Sequence, residues 1–144
     1  MSRRPSPASL WASLGSVICG TAVLAGAYGW HRLAADEDLR DIFMLATQYQ
    51  MWHGLALFAV AWAAAPHERF VGFAGAAGAA FCLGTILFSV NIYAFAVRGD
   101  YLLPGTAPLG GFALMAGWAL LAVAALRRRA PGNNGSFASK NQVR

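Results

Sequence analysis

Residues 43–65 read FMLATQYQMWHGLALFAVAWAAA, and this stretch decides the fold. Its first half carries polar side chains, whereas residues 54–65 are entirely apolar. A bilayer core is roughly 30 Å thick, so a spanning helix needs about 20 residues and must here carry polar groups below the membrane surface. Such groups are costly in hydrocarbon unless they are paired, so they face the protein interior. We therefore expect other helices to enclose the polar face, which holds Thr47, Gln50, His53 and Leu57 at steps of three and four.

Composition places the chain among membrane proteins. Hydrophobic residues make up 58% of its 144 positions and charged residues 12%, whereas soluble domains carry roughly 25% charged residues. A soluble protein of this composition would expose large apolar patches and aggregate. The net charge of +5 does not indicate nucleic acid, because arginines cluster at residues 3–4 and 127–129, beside apolar runs, where basic residues set membrane orientation. We expect the lipid bilayer as the surroundings and no nucleic-acid partner.

Four apolar runs predict an all-α membrane protein, a bundle of four transmembrane helices. The first run also has features of a signal peptide, but its apolar region exceeds the usual 7–15 residues or so. A transmembrane domain is predicted over residues 10–129, and the polar ends, residues 1–9 and 130–144, are predicted to be disordered. The helices are expected at about residues 10–30, 42–65, 70–97 and 108–126.

Arginines on the two sides of the predicted bundle give its orientation. The arginines at residues 3–4, 69 and 127–129 lie on one side, and those at residues 32, 40 and 98 lie on the other. Cytoplasmic loops of membrane proteins carry an excess of basic residues, so the side with more arginines, which includes both termini, is predicted to be cytoplasmic. At the helix boundaries, Asp38 is the expected N-cap of the second helix, and Gly99 is the expected C-cap of the third.

Small residues recur at every fourth position in the apolar runs, a pattern that lets membrane helices approach closely. We expect three such faces, one on each of the first, third and fourth helices. The predicted packing residues are Gly20 on the first helix, Gly72, Ala76, Ala80 and Gly84 on the third, and Gly117 on the fourth. The two cysteines, Cys19 and Cys82, lie deep in apolar runs with no metal-ligand spacing, so neither a disulfide nor a metal site is expected at them. We expect no cofactor.

Polar side chains of the second and third helices are predicted to meet those of the outer loops near the outer leaflet. Three uses of such a cluster are open. The first is interhelical hydrogen bonding, the second is a proton-relay or small-solute site at His53, and the third is haem ligation by His31 and His53. A hydrolase is disfavoured, because no carboxylate pair lies inside the membrane. The candidate residues are His31, Tyr49, Gln50, His53, Ser89, Asn91, Tyr93 and Thr106.

Four stretches, in order, resemble a known family. The family patterns are GAFGAH, YQxxHxLAL, GxxLFSGSLY followed by Gly, and TPxGG followed by GW. In this sequence they correspond to residues 26–31 (GAYGWH), 49–57 (YQMWHGLAL), 84–89 (GTILFS) with Tyr93 and Gly99, and 106–111 (TAPLGG) with Gly117–Trp118. The chain thus resembles the domain-of-unknown-function 423 family, small membrane proteins of bacteria and, in related form, of mitochondria.

The resemblance implies a four-helix protein of the bacterial inner membrane and implies no particular activity. This chain departs from the pattern at several positions. Trp30 and Arg32 replace small residues, and an inserted Ala107 separates Thr106 from Pro108. Val90–Asn91 replaces a Gly-Ser pair, so Val90 is expected to fill a space between helices, while Asn91 keeps a hydrogen-bonding group there.

The shortness of the chain, its small-residue faces and the absence of a catalytic set favour a non-catalytic role. Our leading hypothesis is a structural or accessory subunit of a larger membrane assembly, with other membrane subunits or a second copy as partner. The alternative is a small-solute or proton transporter or relay that uses His53, Gln50 and Asn91.

Overall fold

The computed structural model describes residues 5–65 and 72–127, and within these ranges all regular structure is helical. These two ranges contain four long helices. We name them α1 (Pro7–Arg32), α2 (Glu37–Ala64), α3 (Phe73–Arg98) and α4 (Thr106–Arg127). In the described chain, α1, α3 and α4 are long and apolar enough to cross a membrane. Helix α2 has 28 residues but carries the polar stretch around Gln50.

The N-terminal caps of α1 and α2 explain why these helices begin earlier than the apolar runs. Ser6 accepts a hydrogen bond from the Ser9 amide, and Pro7 takes the first helical position, where a missing N–H costs nothing. Residues 7–9, predicted to be disordered, are therefore helical. Asp36, and not Asp38 as predicted, caps α2, because its Oδ1 accepts from the Leu39 amide at 3.0 Å.

The C-terminal cap of α3 agrees with the prediction. Gly99 adopts a left-handed conformation with φ of 75°, and its amide donates to the Phe95 carbonyl. Helix α4 begins at Thr106, two residues before the expected start, and tolerates Pro108 in its first turn. The predicted disordered tail and the position of Arg69 lie outside the described residues.

Helix α1 packs along α2, and α4 packs along α3, while α2 and α3 pack against each other in the middle. Glycine pairs set the two outer contacts. A Cβ on Gly15 would lie 2.8 Å from the Gly54 carbonyl oxygen, and a Cβ on Gly110 would lie 3.0 Å from the Gly84 carbonyl oxygen. Backbones therefore touch at both contacts, as small residues allow in membrane bundles.

Two predicted packing residues, Gly84 and Gly117, lie in these interfaces. A Cβ on Gly84 would lie 2.5 Å from Leu114, and one on Gly117 would lie 2.6 Å from the Phe81 ring. The other predicted positions do not lie in these interfaces. A Cβ on Gly20 or Gly72 would meet no atom within 4 Å. Ala76 is exposed, and Ala80 is half-buried.

The buried face of α3 shares Gly84 with the predicted one, but it runs through Ala77, Gly78 and Phe81 in place of Ala76 and Ala80. Aromatic rings explain the shift. The Trp11 ring lies against Gly78, 2.8 Å from its Cβ position, and the Phe81 ring lies against Gly117. Gly78 and Gly117 each make room for a ring, so at these positions a large residue packs against a small one.

One feature of α3 was not predicted. Residues Ile86–Val90 form a π-helical turn between two α-helical parts, Phe73–Thr85 and Asn91–Arg98. Such turns occur mostly as single insertions and are frequent at functional sites. The turn lies where α3 faces both α2 and α4, and it positions the groove described below.

Candidate functional site

Gln50, near the middle of α2, ties three helices together. Its Nε2 donates to the Ile18 carbonyl at 3.0 Å and to the Thr21 hydroxyl at 2.8 Å, both on α1. Its Oε1 accepts from the Tyr93 hydroxyl on α3 at 2.9 Å. Both amide donors and the amide oxygen are thus bonded, so this buried side chain costs little and cross-links α1, α2 and α3.

The neighbouring Thr47 extends this network. It donates to the Phe43 carbonyl one turn earlier and lies 3.2 Å from the Tyr93 hydroxyl. The Tyr93 ring also packs on the Phe43 ring, with centroids 4.4 Å apart. Tyr93 therefore contributes an apolar ring and a hydrogen-bonded hydroxyl to the same α2–α3 contact.

Asn91 belongs to a different group of contacts. Its Nδ2 donates to the Leu103 carbonyl at 2.8 Å and to the Thr106 hydroxyl at 3.1 Å, and its Oδ1 accepts from the Leu103 amide at 3.0 Å. These bonds hold the loop between α3 and α4 and the first turn of α4. Asn91 thus keeps the hydrogen-bonding group that we expected, but Val90 is 42% exposed and fills no internal space.

His53 forms a third group with α4. Its Nδ1 donates to the Tyr49 carbonyl at 2.7 Å, and its Nε2 accepts from the Trp118 indole N–H at 3.2 Å. A carbonyl only accepts and an indole N–H only donates, so this geometry requires a neutral ring with its proton on Nδ1. The imidazole also packs against Phe81 and Trp118, with ring centroids 5.6 and 6.1 Å away.

Two buried hydroxyls, one just before the π-turn and one within it, have no hydrogen-bond partner among the described residues. Thr85 Oγ1 and Ser89 Oγ, on the same side of α3, make no hydrogen bond within the described chain. Ser89 is fully buried and Thr85 is 6% exposed. Buried polar atoms in native proteins nearly always have a partner, so these two are exceptions that need an explanation.

An aromatic groove of about 510 Å³ lies between α2, the π-turn and the first half of α4. Its walls are the rings of Tyr49 and Phe88 on one side and Phe112 and Trp118 on the other. His53 also lines the groove. We call this the His53 groove.

The predicted single polar cluster is therefore three separate groups, held by Gln50, Asn91 and His53. His31 joins none of them and is exposed at the end of α1. It is not placed to share a haem with His53, whose two ring nitrogens are both engaged. Among the described residues, no group of three or more His, Cys, Asp or Glu side chains is placed to hold a metal ion.

Two residues of these groups were not predicted, Thr21 and Trp118. Thr21 is a hydroxyl residue within the apolar first run and lies 29 positions before Gln50. In the sequence, Trp118 belongs only to the last family motif. Nothing in the spacing of either residue identifies its partner, because each contact joins helices that are distant in sequence.

Comparison with known proteins agrees with the fold. Residues 25–111 match the family model described as "Protein of unknown function (DUF423)". The UPF0382 membrane protein YwdK of Bacillus subtilis is 33% identical over 116 residues, which cover 79% of this chain and 94% of YwdK. The UPF0382 inner membrane protein YgdD of Escherichia coli is 32% identical over 112 residues, which cover 76% of this chain and 84% of YgdD.

No solved structure matches the chain. The family model covers more than half of its residues, and the relatives align over most of their own lengths. Three apolar helices of the described chain have the length and composition of membrane spans. The chain is a multi-pass protein of the bacterial inner membrane and belongs to the DUF423 family.

Proposed function

We propose that the protein is a non-catalytic accessory subunit of a larger assembly in the inner membrane. The outward face of α1 carries this proposal. Ser16 and Gly20 are exposed one turn apart, and a Cβ on Gly20 would meet no atom of the described chain within 4 Å. A small-residue surface that the protein's own helices leave open suits close approach by a helix of another membrane protein or of a second copy.

The hydrogen bonding inside the bundle supports a structural role. The side chains of Gln50, Asn91 and His53 are each fully engaged with backbone or side-chain partners. In membrane bundles such bonds hold helices together, at about 0.6 kcal/mol on average. Groups engaged in this way are not available for acid–base chemistry on a substrate.

The same bonds support a bundle of four spanning helices that includes α2. Three of the polar residues that lower the apolarity of α2, Thr47, Gln50 and His53, are buried against neighbouring helices, so lipid need not solvate them. Arginine placement in the sequence favours cytoplasmic termini. In this arrangement the His31 loop and the loop after Gly99 lie on the outer side.

The alternative, a proton relay through His53, Gln50 and Asn91, has less support. The three side chains belong to separate hydrogen-bonded groups. Adding a proton to His53 Nε2 would place it against the Trp118 N–H and break that bond. A relay would therefore require α4 to move whenever His53 changes its charge.

A matched pair of substitutions tests the accessory role. Gly20→Leu places a bulky side chain on the open face of α1, whereas Ala119→Leu does so at an exposed small residue of α4. After gentle detergent extraction, native mass analysis should show the wild type and Ala119→Leu in a larger species. Gly20→Leu should be recovered as a monomer with unchanged helix content. A wild type recovered only as a lone monomer would contradict the proposal.

A further inference from the structure

The loop between α3 and α4, residues 99–105, runs back along α3 before α4 begins. The Asn91 amide donates to the Thr106 hydroxyl at 3.1 Å, so α4 starts beside Asn91. Asn91 lies seven residues before Arg98, where α3 ends, and seven residues of helix are about 10 Å long. The loop therefore returns about two turns toward the middle of the bundle.

Contacts with α2 give the same depth. The Tyr93 hydroxyl, on the residue two positions after Asn91, donates to Gln50 Oε1 at 2.9 Å. Gln50 lies nine residues beyond Asp41, which is the last acidic or basic residue along α2, and nine residues of helix are about 13 Å long. The part of the loop that meets Asn91 thus lies well inside the boundary that Asp41 and Arg98 mark.

The backbone of Leu103, at this depth, is bonded within the protein. Its N–H donates to Asn91 Oδ1 at 3.0 Å, and its carbonyl accepts from Asn91 Nδ2 and from the Thr106 hydroxyl, both at 2.8 Å. The Tyr101 N–H donates to Asp100 Oδ1 at 2.8 Å. Water would bond these groups at a membrane surface, but non-helical backbone at membrane depth needs partners inside the protein.

The side chains of the loop are apolar and open to the surroundings. Tyr101, Leu102 and Leu103 are 42%, 49% and 54% exposed, and residues 101–105 carry no charge. The Tyr101 ring stacks on the Phe95 ring of α3, with centroids 4.6 Å apart. Tyrosine is typical of the boundary between lipid headgroups and acyl chains, because its ring is apolar and its hydroxyl is polar.

We propose that this loop is an interfacial anchor that inserts Tyr101, Leu102 and Leu103 among lipid acyl chains just below the headgroups, and that Asn91 holds it there. Lipid is the occupant of this surface because the loop lies inside the charged ends of α2 and α3, beside two helices apolar enough to span the membrane. The anchor fixes the depth at which α4 starts. It is independent of the accessory role, which concerns the open face of α1.

Spin labelling of the loop tests the proposal. The full chain, with Cys19 and Cys82 replaced by alanine, carries a nitroxide at Leu102→Cys or, as the matched control two residues earlier, at Asp100→Cys, in phosphatidylcholine–phosphatidylglycerol nanodiscs. Electron paramagnetic resonance then measures collision with O2, which concentrates in the bilayer, and with a water-soluble nickel chelate. The label at Leu102→Cys should collide mainly with O2, and the label at Asp100→Cys mainly with nickel. Equal nickel contact at both sites would place the loop in water, and exclusion of both reagents at Leu102→Cys would place it beneath protein. Either result would overturn the proposal.

Asn91→Leu tests the role of Asn91 as a positioning residue. Leu103 loses the partner of its N–H, so the loop should move toward water and nickel contact at Leu102→Cys should rise. Gln50→Leu removes a different buried amide and should leave this contact unchanged. Circular dichroism checks that both variants keep their helix content. Unchanged nickel contact in folded Asn91→Leu, or an equal rise in both variants, would refute the role assigned to Asn91.

Discussion

At the scale of single residues, the side-chain amide of Gln50 contributes most to holding the helices together. A primary amide has two donors and an acceptor, and here they reach the Ile18 carbonyl, the Thr21 hydroxyl and the Tyr93 hydroxyl. In hydrocarbon, each of these groups would cost several kcal/mol if left unpaired. One side chain therefore satisfies polar groups of two neighbouring helices as well as its own.

Replacement of Gln50 by leucine should destabilise the bundle by about 1–3 kcal/mol, because the Tyr93 hydroxyl loses its nearest partner in a buried site. Gln48→Leu is the matched control, since Gln48 is an exposed glutamine on the same helix. Equilibrium unfolding by SDS in mixed micelles, followed by circular dichroism, measures both. Equal changes for the two variants would show that the hydrogen bonds of Gln50 contribute nothing specific.

For Ser89 we expect the opposite effect on stability from that of Gln50. Its hydroxyl is fully buried and has no partner within the described chain, so Ser89→Ala removes a desolvation cost and no hydrogen bond. Stability in the same unfolding experiment should stay constant or rise by up to about 1 kcal/mol. A clear loss of stability would mean that a bound water molecule holds this hydroxyl.

At the scale of helices, glycine contacts decide how α3 and α4 fit together. The carbonyl oxygens of Gly84 and Gly110 lie 3.0 Å from the Cβ position of the facing glycine. Backbones at this separation gain dispersion energy and weak Cα–H···O contacts. The adjacent Gly111 points into the His53 groove instead and is not part of this contact.

The neighbouring glycines of α4 provide an internal control. Gly110→Ala should push α4 away from the Phe88 backbone and destabilise the protein by about 1–3 kcal/mol. Gly111→Ala meets open space and should be neutral or stabilising by up to about 1 kcal/mol, because alanine favours the helix. The two midpoints in SDS unfolding should therefore shift in different directions. A loss of stability of similar size in both would refute the close contact at Gly110.

Also at this scale, the sequence predicts the existence of helices better than their faces. Apolar runs identify long helices because an apolar stretch of about 20 residues is the length that a membrane-spanning helix needs. The caps at Ser6 and Asp36 were missed because they precede the apolar runs, and a cap depends on side-chain geometry. The packing face of α3 was missed because the Trp11 and Phe81 rings, and not only small residues, decide which side of the helix is buried.

At the scale of the whole molecule, three apolar helices surround the polar half of a fourth. The prediction that other helices enclose the face of Thr47, Gln50 and His53 agrees with the structure, where all three are buried. The prediction that every polar candidate meets in one site does not. Asn91 is hydrogen-bonded to the loop after α3, and His53 is hydrogen-bonded to Trp118 of α4. Each side chain bonds to the backbone or helix nearest to it.

The division into three polar groups could not be predicted from the sequence. Spacing along a helix shows which residues share a face, but it does not show which neighbouring helix that face meets. The π-turn at Ile86–Val90 changes the faces of α3 midway along its length, and no residue pattern indicated it. The His53 groove is lined by Phe88 of this turn together with residues of α2 and α4, so its lining does not follow from spacing along one helix.

The central claim is that the polar face of α2 is sheltered inside the bundle at membrane depth. Cysteine accessibility in intact membrane vesicles tests it most directly, after replacement of the two free thiols, Cys19 and Cys82, by alanine. His31→Cys, in an exposed position at the end of α1, should react readily with a water-soluble maleimide, whereas His53→Cys should react only after SDS denaturation. Reaction of His53→Cys at the rate of His31→Cys in native membranes would contradict the account.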